Sequence, residues 1–316
     1  MDKKDLRIVY LGTPDFAVES LRALVDGGYN VVAVVTMPDK HANRGHKLQY
    51  SPIKEYALTV GLPILQPQSL KDSEFIDQLR SYNADLQIVV AFRMLPEIVW
   101  AMPRFGTFNL HASLLPQYRG AAPINWAIIN GEQKTGITTF FLKHEIDTGD
   151  MIEQVAVEIG ENEDVGSLHD RLMVLGAKLV TKTVDLILQD SVTTTPQPNL
   201  PTNELKSAPK IFKETCQIDF SKSVREIHNF VRGLSPYPTA WTEMNIHGET
   251  QSIKIYEVKP IEEIHQLAIG TYRTDGKTFL KIACSDGFIE ILNLQMPGKK
   301  RMSIRDFLNG THLCEI

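Results

Sequence analysis

The first half of the chain alternates short apolar runs with amphipathic stretches. Residues 7–11 read as a buried strand that ends in Gly12-Thr13-Pro14. Residues 15–25 follow as a helix, with Phe16, Val18, Leu21, Leu24 and Val25 near one stripe and Gly27-Gly28 as its stop. A second apolar strand covers 31–36. Strand–helix–strand order favours a parallel sheet with right-handed crossovers. The same pattern predicts helices over 52–60, 72–81, 121–130 and 167–188, and strands over 62–65, 85–91, 107–111 and 136–142. Residues 191–209 break it with Thr193-Thr194-Thr195 and Pro196, Pro198, Pro201 and Pro209, a composition that reads as an extended linker. Beyond lie a helix at 224–234 and five short strands at 240–246, 253–258, 270–274, 279–284 and 288–295, the spacing of a small open barrel. The expected architecture is a Rossmann-like, mostly parallel α/β domain over 1–190, a linker over 191–207 and an OB-like β-barrel domain over 208–316.

Composition adds limits. With 43% hydrophobic and 22% charged residues, the chain has the balance of a soluble globular protein. It holds no apolar run of about 18 residues, the length needed to span a membrane, and 1–5 lack a signal-peptide core. Three scattered cysteines, Cys216, Cys284 and Cys314, suggest a reducing compartment, no zinc site and a cytoplasmic location. Charge is uneven: residues 1–205 carry 18 Lys and Arg against 25 Asp and Glu, and residues 206–316 carry 15 against 13. An acidic chain binds nucleic acid only through local basic clusters. Candidates are Lys40, Arg44 and Lys47 in the long polar loop 37–51, Lys206, Lys210 and Lys213 at the linker exit, and Lys299-Lys300-Arg301 after Pro297-Gly298. Each could grip a phosphate backbone or be an ordinary solvated face.

The candidate chemistry is concentrated in 105–150. Alternation along a strand puts Asn109 and His111 on one side and Phe108 and Leu110 on the other. Asp147 follows in a predicted turn. His111 could act as general acid or base or as a cation beside an oxyanion, Asn109 could donate a hydrogen bond to that oxyanion, and Asp147 could orient the imidazole. No Ser or Cys in the stretch has the setting of an activated nucleophile, so the attacking group should come from a substrate. The plain alternative is a hydrogen-bonded core histidine and an ordinary turn aspartate. A metal site built from His111, His144 and Asp147 is possible by residue type, but no single-element ligand motif supports it. Gly12-Thr13-Pro14-Asp15-Phe16-Ala17 lacks the G-x-G-x-x-G of a dinucleotide site.

Asn109-x-His111, Ser113-Leu114-Leu115-Pro116-x-Tyr118-Arg119-Gly120 and Asp147-Thr148-Gly149-Asp150, in this order and spacing, resemble the folate-dependent formyltransferase family. The resemblance implies transfer of a formyl group from 10-formyltetrahydrofolate, as co-substrate and without a metal, to an amine. It implies that Asn109 and His111 polarise the formyl oxygen, that Asp147 partners His111 and helps relay protons, and that Leu95, Ser113, Leu114, Leu115 and Pro116 line the folate pocket. The chain departs from many members at Phe92-Arg93, where a Tyr-Gly pair is common. Gly12-Thr13-Pro14-Asp15-Phe16, Pro38-Asp39 with Arg44-Gly45-x-Lys47, Ala208-Pro209-Lys210-Ile211 with Ile218-Asp219-Phe220, and Pro297-Gly298-Lys299-Lys300 resemble the branch that acts on initiator methionyl-tRNA. That branch implies charged initiator methionyl-tRNA as partner, with Arg44, Lys47, Lys206, Lys210, Lys213, Lys299 and Lys300 as tRNA contacts, and a monomer. The rival expectations are a formyltransferase for a small amine (a nucleotide or amino sugar), a hydrolase that deformylates the folate, and a tRNA-binding protein with an inactive core.

Overall fold

A computed structural model of the chain describes residues 1–41, 48–246, 248–311 and 313. Arg44 and Lys47 lie outside the described residues. The chain divides into two compact units. One comprises Met1–Arg119, Gly136–Val157 and His169–Lys206; the other comprises Gly120–Thr135, Glu158–Leu168 and Ser207–Ile316.

The first unit is built on a seven-stranded sheet. From edge to edge the strands are Met151–Glu158, Lys134–Phe141, Thr107–His111, Leu86–Val90, Ile8–Gly12, Val31–Val35 and Ile64–Leu65. The last five pair in parallel, and Thr107–His111 pairs antiparallel with Lys134–Phe141. Ile8–Gly12 and Leu86–Val90 are buried at every position, as strands covered on both faces must be. Chain order reverses between these two strands, so a ligand is expected outside the carboxyl ends near this switch point. Val9, Leu11, Ala33, Val35, Val89 and neighbouring side chains pack one face of the sheet. Helices begin where the sequence supplies caps: the Ser51 hydroxyl accepts from the Lys54 amide ahead of Pro52–Thr59, and the Asp72 carboxylate accepts from the Glu74 amide ahead of Ser73–Ser81.

Two features of this unit depart from the pattern-based reading. Met151–Glu158 forms an edge strand that the pattern does not predict; its burial only partly alternates, and polar Glu153, Gln154 and Glu158 interrupt the apolar positions. The loop 37–51 contains a short antiparallel pair, Lys40–His41 with Leu48–Gln49. Its base is fixed by Lys54, whose Nζ lies 2.5 Å from Asp39 Oδ2 and 2.8 Å from Gln66 Oε1.

The second unit carries an antiparallel sheet in the order Ala240–Ile246, Glu249–Glu262, Gly287–Gln295, Leu280–Ala283, Tyr272–Thr274, with Met302–Ser303 added against Gly287–Gln295. Glu249–Glu262 is much longer than the six residues the pattern marks, because irregular register lets one strand bend along two partners. The helix Val224–Leu234 starts at a reciprocal box, with Ser223 Oγ accepting from the Glu226 amide and Glu226 Oε2 from the Ser223 amide. It shares the core with Ile253, Ile255, Ile291 and Leu294. Arg232, only 9% exposed, donates to the carbonyls of Gly160 and Glu163 and to Asn229 Oδ1. Burial lowers its pKa, and these acceptors compensate the buried cation. A short helix at Ile304–Gly310, absent from the pattern reading, is capped by Ser303.

Candidate active site

Thr107–His111 is the strand the pattern predicts, residue for residue. Phe108 and Leu110 are buried in the core, while Asn109 and His111 share the opposite side. His111 is 6% exposed and its Nε2 lies 2.9 Å from the carbonyl oxygen of Tyr118. A carbonyl only accepts, so Nε2 carries the hydrogen in the neutral ring. Nδ1 is then the atom that takes up or gives a proton, and Asp147 Oδ2 stands 3.9 Å from it. That separation is too long for a hydrogen bond, and the two groups are 6% and 12% exposed. Asn109 Oδ1 is buried without a hydrogen-bond partner. An orphaned buried amide oxygen costs about 1–3 kcal/mol, and a half-turn of the amide would put N–H donors in its place. An amide with unused capacity beside an imidazole fits a carbonyl or oxyanion ligand.

The loop after His111 is clipped internally. Ser113 donates its hydroxyl to the Gln117 carbonyl, which closes the turn. Thr138, paired with His111 across the sheet, donates to the Ser113 carbonyl, and Gln154 Nε2 reaches both Thr138 Oγ1 and the Leu115 carbonyl. Leu114 packs over Gly136, and Leu115 and Pro116 are buried. Leu95 belongs to the core cluster under the sheet. These five predicted folate contacts thus have packing or hydrogen-bonding duties in the loops at the carboxyl end of the sheet. Arg93 donates its guanidinium to the carbonyls of Pro67 and Gln68, which explains an arginine in that loop by local anchoring.

Asp147 sits in a tight turn with φ 55°, in the left-handed region. Gly149 lies so close to Phe141 that a Cβ there would overlap the Phe141 carbonyl oxygen. The carbonyls of Asp147 and Gly149 both accept from Gln197 Nε2, at 2.7 and 2.9 Å. Thr138, Gln154 and Gln197 were not among the predicted site residues. Each is a polar residue in a strand or linker whose partners are distant in sequence, so no local pattern marks it. His144 engages Glu97 at 3.3 Å and the Trp100 ring. Among the described residues no group of three or more His, Cys, Asp or Glu could hold a metal ion.

Of the predicted basic contacts, Lys206 is exposed in the first unit and its backbone pairs with Gln117 and Tyr118. Lys210, Lys213, Lys299 and Lys300 are exposed in the second, with Lys210 over the Phe212 ring. Among the described residues no helix is long and apolar enough to cross a membrane.

An Asn–His pair at the end of a strand in a mostly parallel sheet, with a carboxylate 3.9 Å from the imidazole, is an arrangement suited to acyl transfer. A formyl transferase family model matches residues 6–184, and a formyl transferase C-terminal domain model matches residues 210–312. The chain therefore belongs to the formyl transferase family. It is 62% identical over 317 residues to the methionyl-tRNA formyltransferase of Bacteroides fragilis, covering 100% of this chain and 98% of that one. It is 64% identical over 314 residues to the methionyl-tRNA formyltransferase of Phocaeicola vulgatus, covering 98% and 97%. Among solved structures it is similar to a sugar 3N-formyl transferase, WlaRD, at TM-score 0.64 and 20% identity over 93% of this chain and 99% of that one. That likeness concerns the fold.

Proposed function

We propose that the chain transfers the formyl group of 10-formyltetrahydrofolate to the α-amino group of methionyl initiator tRNA. The observation that carries the reading is the Asn109–His111 pair facing Asp147 in a chain similar over its whole length to methionyl-tRNA formyltransferases. The neutral methionine amine attacks the formyl carbon. Asn109 and His111 hold the oxygen as charge develops on it, which is where fixed donors in a buried site act most strongly. The carbon–nitrogen bond to the folate breaks, and the proton lost by the amine replaces the formyl group on that nitrogen. His111 Nδ1, with Asp147 beside it, is placed to carry the proton. The unpartnered Asn109 Oδ1 is the local sign that the site fits a polar ligand.

The folate lies at the carboxyl ends of Ile8–Gly12, Leu86–Val90 and Thr107–His111, with Leu95 and 113–116 around it, in a catalytic domain over 1–190. After the linker 191–207, the domain 208–316 is an OB-like module that holds the tRNA. Lys206, Lys210, Lys213, Lys299 and Lys300, with Arg44 and Lys47 of the loop, neutralise its phosphates. The enzyme works as a cytoplasmic monomer. A formyltransferase for a small amine is the second reading, and the whole-chain identity with methionyl-tRNA formyltransferases favours the first.

The test offers labelled 10-formyltetrahydrofolate with charged initiator tRNA, uncharged tRNA and a small amino-nucleotide side by side. Label on the charged initiator alone is expected. Label on the small amine, or formate released without an acceptor, would overturn the proposed acceptor.

A further inference from the structure

We propose that Gln197, within the stretch that composition marks as a linker, is the positioning residue that holds the His111 and Asp147 sides of the site together. The inference rests on the acyl-transfer reading of those two residues. Gln197 uses both ends of its amide. Nε2 donates to the carbonyls of Asp147 and Gly149, and Oε1 accepts from Arg119 Nη2 at 2.6 Å and Nε at 3.2 Å. Arg119 follows Tyr118, whose carbonyl is the partner of His111 Nε2. The contacts therefore form a ring: His111 to Tyr118, along the chain to Arg119, across to Gln197, on to Asp147, and back over 3.9 Å to His111 Nδ1.

Side-chain chemistry explains why glutamine suits this place. The position needs donors on one side and an acceptor on the other. Glutamate offers only acceptors, lysine and arginine only donors, and asparagine is one methylene shorter. The segment itself is fixed at further points. Thr195 and Met151 exchange backbone hydrogen bonds at 2.8 and 2.9 Å. The Tyr118 amide donates to the Lys206 carbonyl at 2.6 Å, the Lys206 amide to Gln117 Oε1 at 2.8 Å, and Gln117 Nε2 to the Glu204 carbonyl at 2.9 Å. Residues 195–206 are thus laced to both loops that present the reacting groups. Asp147 has a left-handed backbone, so its turn needs outside support to keep the carboxylate facing the ring.

The experiment uses the full chain with Gln197→Ala and Gln197→Glu. Both should lower kcat for formyl transfer by about 10- to 100-fold, the scale on which small misplacements of reacting groups act. KM for each substrate should stay within roughly two-fold, a split that general loss of structure would not give. Gln197→Glu keeps the Arg119 pairing and loses the donors, so it should fall as far as Gln197→Ala. Combining Gln197→Ala with Asp147→Ala should cost no more than Asp147→Ala alone, because one acts through the other. Wild-type kcat in either single variant, or penalties that multiply in the double variant, would overturn the proposal. Hydrogen–deuterium exchange over 144–151 reads the same point without any substrate: faster exchange in Gln197→Ala is expected, and unchanged exchange would overturn it. The unsubstituted chain is assayed alongside. If it forms no formylmethionyl-tRNA, the acceptor assignment fails while the exchange measurement still decides the role of Gln197.

Discussion

His111 Nε2 donates to the backbone carbonyl of Tyr118 across 2.9 Å, and this bond decides which ring nitrogen does the chemistry. Tyr118 has φ 60°, a left-handed conformation that turns its carbonyl out of any regular strand pairing and makes it available to the ring. The imidazole is thereby held in one tautomer, with Nδ1 toward Asp147. The support is the main chain, so it cannot be lost by changing the Tyr118 side chain.

Two near-isosteric substitutions separate holding the ring from using it. In His111→Gln the amide can still donate to the Tyr118 carbonyl, but nothing replaces Nδ1. Asp147→Asn keeps the turn and removes the charge. Each variant should remain folded and lose about 10²–10⁴ in kcat, the range typical of a removed general acid–base group. Circular dichroism and single-turnover formyl transfer check this together. A His111→Gln enzyme that kept wild-type turnover would remove His111 from the chemistry.

Gly149→Ala tests the turn from its other side. A Cβ at this position would overlap the Phe141 carbonyl oxygen and press on Phe140. The turn must move, and Asp147 with it. Activity should fall by about 10²-fold through misplacement, with a stability loss of about 1–3 kcal/mol from overpacking. Gly276→Ala is a suitable control: its φ of 69° strains any added side chain, but a Cβ there meets nothing within 4 Å. Stability should fall in both variants and activity only in Gly149→Ala, as measured by urea titration and initial rates.

Much of this site was legible because it lies on a strand. Period-two alternation placed Asn109 and His111 on one side without any knowledge of partners, and Pro123 with Asn130-Gly131 marked the helix Pro123–Ile129. The missing parts share a physical character. Met151–Glu158 is an edge strand with polar residues among its apolar positions. The partners of Arg232 and Gln197 are mostly backbone carbonyls, which every residue possesses, so their positions leave no trace in residue type. The His111–Asp147 approach depends on how two loops return to one strand end, a tertiary fact that spacing alone does not encode.

The exposed lysines of the second unit give a prediction in salt. If Lys299 and Lys300 each neutralise a phosphate, replacing both by alanine should weaken tRNA binding and flatten the plot of log affinity against log salt by roughly one unit per lysine. KM for the folate should stay unchanged. Filter binding of charged initiator tRNA between low and moderate salt reads the slope, and a parallel line displaced downward would mean that these lysines act other than through phosphate neutralisation.

His228 gives the chain a specific acid weakness. Its ring is 5% exposed and Nδ1 has no hydrogen-bond partner. Burial first, and then the neighbouring Arg232 and Arg225, push its pKa down from 6.5 to about 4, against a smaller pull upward from Glu161. In the unfolded chain the imidazole takes a proton near its ordinary value. Between those two values the unfolded state binds more protons than the folded one, so stability falls as pH drops. The contribution is fully present above about pH 6.5, is lost as pH falls toward about 4, and changes little below that. Urea midpoints of the wild type and of His228→Gln, measured every half unit from pH 8 to pH 4, should show the wild type losing stability more steeply within that window and the two running parallel above it. Parallel curves throughout would mean that His228 takes up its proton alike in the folded and unfolded states.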